Sequence, residues 1–132
     1  MVHTPDELRE EAGVLAAGSY CPYSRFRVAA LIEDSAGELH RGVNVENGSF
    51  GLTICAERSA LFAAVTAGAR SFNGILVHSP DGEPLPCGAC REVLAEFCDD
   101  DLPILVSGPA GVKEYTLGSL LPHRFPRGGL PD

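Results

Sequence analysis

The chain has 132 residues, a length that fits one folded unit able to bury a core. Hydrophobic residues make up 45% and charged residues 21%, the balance of an ordinary globular protein. Eighteen acidic against ten basic side chains give a formal net charge of -8, which speaks against nucleic acid and anionic membrane surfaces as partners and favours a small, neutral or weakly charged ligand.

The longest apolar runs, such as ALFAAV, are too short to span a bilayer. The first residues, MVHTPDELREEAG, are acidic and helix-like and lack the basic-then-apolar layout of a secretory signal. These features point to the cytoplasm, where the five cysteines are expected to stay reduced. An odd number cannot all pair within the chain, so clustered cysteines raise the question of metal binding or catalysis.

In chain order, residues 4–17 read as a helix. Thr4 can cap it, Pro5 suits its first turn, and Leu8, Ala12 and Leu15 share a face. GSYCPYS breaks that pattern. RFRVAALIE is strand-like, and GELHRGVNVE follows as its partner across the turn EDSAG. ENGSFGL is a loop. A helix is expected over 55–67, ending at Gly68. NGILVHS is a buried strand, PDGEPLP a loop, and 88–97 a further helix. LPILVS and VKEYTL are strands, followed by a short helix into LLPHRF. Strands alternating with helices give an α/β fold with a sheet covered on both faces. The chain is expected to form a single domain over 1–132, with 126–132 a loose tail.

Two of the expected helices begin with thiols. Cys87 and Cys90 form a C-x-x-C pair whose side chains are neighbours at a helix start. The small residues Gly88 and Ala89 between them let a metal sit close to the backbone. Taken alone, the pair is equally compatible with core cysteines or a redox dithiol. Cys55 opens the other helix. A helix N-terminus favours thiolate, the metal-binding form, and three thiolates around zinc leave one tetrahedral position open, as in catalytic sites. His78, at a strand end, is the nearest candidate for a fourth ligand. His3, His40 and His123 read as surface or turn residues.

Glu57 lies two residues after Cys55, and residues two apart in a regular helix point about 200° away from each other. Both serve one pocket only if Cys55 sits at the very start of the helix. There a carboxylate can take a proton from a metal-activated water and return it to a leaving group. Alone, Glu57 reads first as a first-turn acid that favours the helix dipole. Arg58 and Arg91 follow the cysteines. A guanidinium on thiolate sulfur draws charge off it and keeps the metal a better Lewis acid, a role assigned to Arg58 ahead of Arg91.

CAE at 55–57 together with PCGAC at 86–90 resembles the zinc-dependent nucleoside deaminases, a superfamily with a known three-cysteine zinc site. YCPYSRFRVAAL, GVNVENGSFGLTICAERSAL, PCGACREVLAEF and LLPHRF, in this order, extend the likeness to the small tetrameric cytidine deaminases over nearly the whole chain. The resemblance implies a three-layer α-β-α fold around a mixed five-stranded sheet, and a homotetramer with shared active sites. It implies one Zn2+ per subunit on Cys55, Cys87 and Cys90, with Glu57 as proton shuttle. Asn44 and Glu46 would bind the ribose hydroxyls of a nucleoside, and Phe26 would pack on it. Gly48 and the backbone of Ala56 would add substrate contacts. Phe50 and Phe125 would reach in from neighbouring subunits, and Arg58 would temper the thiolates.

The chain departs from the family pattern at Phe50, usually Tyr, at Ala29, often Gly, at Glu92, often Gln, and at Gly48, often Ala. Cys21 and Cys98 lie outside the motifs and read as structural thiols. The expected reaction is hydrolysis of cytidine and 2′-deoxycytidine to the uridines, with release of ammonia, in pyrimidine salvage. The alternatives are a deaminase of a cytosine antibiotic such as blasticidin S, and a non-catalytic zinc-stabilised binding module. Intact Asn44 and Glu46 argue against the first, and Glu57 with the missing fourth ligand against the second.

Overall fold

The computed structural model describes residues 1–126; the expected tail falls outside them from residue 127 onward. Helix α1, Pro5–Leu15, starts where the sequence supplies a cap. The Thr4 hydroxyl accepts from the Glu7 backbone N–H, and Pro5 takes a position where no intrahelical N–H bond is lost. A 3-10 turn, Ala16–Gly18, ends it. The strands are β1 Ala29–Asp34, β2 Leu39–Val43, β3 Phe72–His78, β4 Pro103–Gly108 and β5 Gly111–Thr116. Helix α2, Ala56–Thr66, links β2 to β3; α3, Gly88–Phe97, links β3 to β4; and the short α4, Leu117–Leu120, follows β5.

The five strands form one mixed sheet in the order β2-β1-β3-β4-β5. Only β3 and β4 pair in parallel, and α3 provides the crossover that a parallel pair needs. All of β1 is buried, which requires cover on both faces. Its alternating side chains divide accordingly. Ala29 and Leu31 join Leu8, Ala12 and Ala16 under α1. Ala30 and Ile32 join Ala56, Ala60, Leu61 and Leu94 under α2 and α3. The result is the three-layer α-β-α arrangement expected from the family resemblance.

Small residues set the spacing on the second face. Ala56, Ala60 and Ala64 recur every fourth position of α2 and are fully buried. They bring the helix backbone onto β2, where a Cβ on Gly42 would lie 2.5 Å from the Ala56 carbonyl oxygen and 2.8 Å from Ser59 Cβ. Because β2, β3 and β4 all run opposite to β1 or parallel to β3, α2 and α3 both begin at the carboxyl ends of strands, where open α/β sheets bind ligands.

The strand expected from residue 25 begins only at Ala29. Arg25 adopts a left-handed φ of 58°, and 20–28 is a loop instead. The partner strand stops at Val43, after which Val45 makes single bridges to Tyr20 and Ile54. The reason is Asn44, whose side chain takes over as a ladder partner. Its Oδ1 accepts from the Val28 N–H at 3.0 Å and its Nδ2 donates to the Phe26 carbonyl at 2.7 Å.

Candidate active site

Cys55 is the N-cap of α2 and Cys87 the N-cap of α3. Cys55 therefore sits outside the helical spiral, which frees its thiol to share a pocket with Glu57 in the first turn. The Cys55 and Cys87 sulfurs are 3.7 Å apart, and those of Cys87 and Cys90 are 3.4 Å apart. All three lie within 4.8 Å of one another, the metal-capable side-chain group among the described residues. These separations exceed a disulfide bond of about 2.05 Å. They approach the roughly 3.8 Å edge of a tetrahedron with zinc–sulfur bonds of about 2.3 Å. The donor set fits zinc in chemistry and in size.

The electrostatics favour an anionic sulfur at Cys55. Hydrogen bonding from the Cys90 thiol, helped by Arg58 and Cys87, outweighs burial and lowers the pKa of Cys55. Cys90 is raised, chiefly because its proton is held in that hydrogen bond and secondly by burial. Arg58 Nη2 donates to Cys55 Sγ at 3.4 Å, and its Nε is buried without a hydrogen-bond partner. Arg91 acts elsewhere. Its Nε donates to the Pro86 carbonyl and its Nη1 to the Leu120 carbonyl, both at 2.8 Å, so it braces the loop before Cys87 rather than a sulfur.

Glu57 is only 5% exposed. Burial, reinforced by the negative charge of Cys55, pushes its carboxyl up to about 7. A carboxyl tuned there can both accept and return a proton near neutral pH.

Beside the thiols lies a cavity of about 320 Å³, within the usual size range for small-molecule sites. Of the expected substrate contacts, it gathers Phe26, Asn44, Glu46 and Ala56, next to Cys55, Glu57 and Cys87. Glu46 Oε1 accepts from the Tyr23 and Ser24 N–H groups at 3.0 Å, which fixes the 20–28 loop over the cavity. A larger groove of about 550 Å³ runs along α1, but Glu7, Glu10, Glu11 and Arg41 line it and no thiol cluster adjoins it. Chemistry belongs to the smaller cavity.

Gly48, Phe50 and Phe125 do not line the cavity of their own chain. Gly48 faces the Tyr23 hydroxyl, and Phe50 packs edge-on against the Tyr23 ring at 5.8 Å while remaining 75% exposed. Phe125 is 67% exposed, with its N–H donating to Glu92 Oε1 at 3.2 Å. Glu92 thus engages the C-terminal segment. His78 stays away from the thiols, its Nδ1 pairing with Ser107 Oγ at 2.9 Å, while His3 pairs with Glu33 and His40 with Asp34.

Ser24, Val28, Thr53, Pro84 and Leu85 also line the cavity and were not anticipated. Pro84 and Leu85 had one legible signal, their place just ahead of Cys87. Ser24 and Thr53 had none, since a hydroxyl in a loop reads first as a turn residue.

Comparison with known proteins matches residues 3–106 to the model of the cytidine and deoxycytidylate deaminase zinc-binding region. The chain belongs to this deaminase family. A cytidine deaminase from Halalkalibacterium halodurans is 42% identical over 127 residues, 95% of this chain and 96% of that one. Another, from Sporosarcina psychrophila, is 41% identical over 114 residues, 85% of this chain and 84% of that one. The crystal structure of a cytidine deaminase from Burkholderia pseudomallei superposes with a TM-score of 0.88 at 39% identity, covering 93% of this chain and all 100% of that one. A blasticidin-S deaminase from Bacillus cereus is more distant, 27% identical over 113 residues.

Proposed function

We propose that this protein hydrolyses cytidine and 2′-deoxycytidine to uridine and 2′-deoxyuridine, with one zinc ion per chain. The observation that carries the reading is the buried Glu57 carboxyl set beside a three-thiol cluster at a nucleoside-sized cavity. Cys55, Cys87 and Cys90 would hold zinc, which supplies the Lewis acidity that makes a water nucleophilic near neutral pH. Glu57 takes the proton from the attacking water and passes it to ring nitrogen 3 of the base. It then carries the second proton to the amino group, which leaves as ammonia. Burial suits it to this exchange, because neither protonation state is strongly preferred near neutral pH.

The remaining residues orient and confine the nucleoside. Asn44 spends one acceptor site and one N–H on the Phe26–Val28 backbone and keeps a second N–H and lone pair for a ribose hydroxyl. Glu46 offers carboxylate oxygen to a second hydroxyl, and Phe26 and Leu85 supply apolar wall. Arg58 draws charge from Cys55 sulfur. The Ala56 backbone completes the contacts.

Residues 1–132 act as one domain and assemble as a homotetramer. Exposed Tyr20 bridges exposed Val45, and exposed Tyr23 packs on exposed Phe50; these pairs would form apolar surface that a second copy covers. Phe50 and Phe125 then enter neighbouring cavities. No helix among the described residues is long and apolar enough to cross a membrane, and the thiol chemistry suits a reducing cytoplasm and a role in pyrimidine salvage.

Glu57→Gln tests the reading. The variant should bind one zinc per chain and lose turnover by about a thousandfold. Near-normal deamination by this variant would remove Glu57 from the proton path. The antibiotic alternative is tested by relative activity on blasticidin S and cytidine, with cytidine expected to lead.

A further inference from the structure

The cavity has two walls that come from distant parts of the chain. One is the loop carrying Ser24, Phe26 and Val28, and the other is the loop after β3, carrying Pro84 and Leu85. The ladder hydrogen bonds of the sheet end before both loops. Their spacing therefore needs its own fastening.

Arg27 and Asp81 provide one. Asp81 Oδ2 accepts from the Arg27 backbone N–H at 2.9 Å and from Arg27 Nε at 3.0 Å. Asp81 Oδ1 accepts from Arg27 Nη2 at 2.8 Å. The guanidinium fork and the backbone thus grip one carboxylate, whose own N–H donates to Ser79 Oγ at 3.0 Å. The next residue, Gly82, lies under the Phe26 ring, so that a Cβ there would be 2.9 Å from Phe26 Cε2. A Cβ on Gly108 would in turn be 2.7 Å from the Gly82 carbonyl oxygen. Gly82 thus meets both Phe26 and Gly108 without slack, one residue after Asp81 of the clamp. Hydrogen bonding to Arg27, side chain and then backbone, holds the Asp81 carboxyl down to about 2, so the clamp stays charged throughout the neutral range.

We propose that Arg27 and Asp81 are positioning residues, whose three-bond clamp sets the width of the slot between Phe26 and the Pro84–Leu85 wall and thereby the affinity for the nucleoside. Neither residue lines the cavity, and neither adjoins the reacting atoms. The clamp acts on binding and leaves the chemical step alone. This rests on the cytidine deaminase reading for its substrate, though not for its structural claim.

The test uses zinc-loaded, full-length protein and the variants Arg27→Ala, Asp81→Ala, Arg27→Lys and the double alanine. A partly exposed pair of this kind carries a modest free energy, so KM for cytidine should rise about three- to fivefold in each alanine variant. The catalytic constant should stay within about twofold, the pattern of lost uniform binding. The double variant should be no worse than Asp81→Ala, which already removes all three bonds, and Arg27→Lys should fall between wild type and Arg27→Ala, because it keeps the charge and loses the fork. Hydrogen exchange in residues 24–28 and 80–86 should quicken about tenfold in the alanine variants, while α2 and α3 exchange as before. Exchange needs no substrate, so it judges the clamp even if the wild type turned over no cytidine, a result that would count against the functional reading alone. Unchanged exchange in both loops would overturn the proposal. So would additive effects of the two alanines on KM, or a fall in the catalytic constant with KM unchanged.

Discussion

Gly42→Ala adds one methyl group where two backbones meet. Gly42 has no left-handed φ, so alanine meets no conformational penalty and even gains about 0.4–1 kcal/mol through the unfolded state. Packing decides the sign. The new Cβ would fall 2.5 Å from the Ala56 carbonyl oxygen and 2.8 Å from Ser59 Cβ, and against the Ala60 nitrogen, where comfortable contacts are about 3.5–4.0 Å. Two of these neighbours are helix backbone and cannot swing aside. The strain must be met by moving α2 off β2 by about 1 Å. Overpacking of this kind costs about 1–3 kcal/mol, and the rigid surroundings place it near the top of that range, well above the entropic gain. For a chain of this length the melting temperature should drop by about 10 °C at fixed protein concentration. Function should suffer more than folding, because α2 carries Cys55, Glu57 and Arg58 in its cap and first turn. A displacement of about 1 Å there costs on the order of a hundredfold in turnover. Differential scanning calorimetry, zinc content and cytidine turnover measure the three effects. A Gly42→Ala protein that melts within about 2 °C of wild type and deaminates normally would refute the packing account.

Asn44→Ala should raise KM for cytidine about tenfold, since it removes the proposed ribose contact and also frees the Phe26–Val28 backbone; hydrogen exchange at Val28 separates the second effect from the first. Burial would raise the Glu33 carboxyl, but the His3 N–H and ring, Asn73 and the Val2 N–H together outweigh it and bring it down from 4.5 to about 2. Its stabilising contribution is therefore full above about pH 4.5 and is lost as the pH falls towards 2. Glu33→Gln should be less stable at pH 7 and should lose part of the wild-type slope between those limits, as urea titrations at stepped pH will show.

Much of the fold was legible because its signals are local. Thr4 and Pro5 mark the start of α1, and the boundaries of α3 at Gly88 and Phe97 agree with the sequence pattern. Gly68, at φ 101°, stands just beyond α2 as its C-terminal glycine should. The zinc-type thiols were legible for the same reason, since each N-cap cysteine opens a periodic segment. The 20–28 region misled because RFRVAALIE has strand composition throughout. The side chain of Asn44, 16 residues from Val28, helps hold the first part of that run as a loop. Pairings of that kind carry no periodicity. The Arg27–Asp81 clamp, spanning 54 residues, and the docking of Phe125 on Glu92 were invisible for the same cause. Arg58 and Arg91 look alike in the sequence, each following a cysteine segment. Helix phase separates them, sending one to Cys55 sulfur and the other to the Pro86 and Leu120 carbonyls.

Zinc-dependent hydrolysis by the thiol cluster and Glu57 makes the metal and the turnover inseparable. Its most direct test is a cytidine assay on purified protein, following uridine and ammonia before and after removal of zinc by a chelator and again after zinc is restored. Equal release of uridine and ammonia, loss of turnover with the metal, and recovery on reloading are expected. Folded, zinc-loaded protein that leaves cytidine and deoxycytidine untouched, or turnover that survives complete removal of the metal, would contradict it.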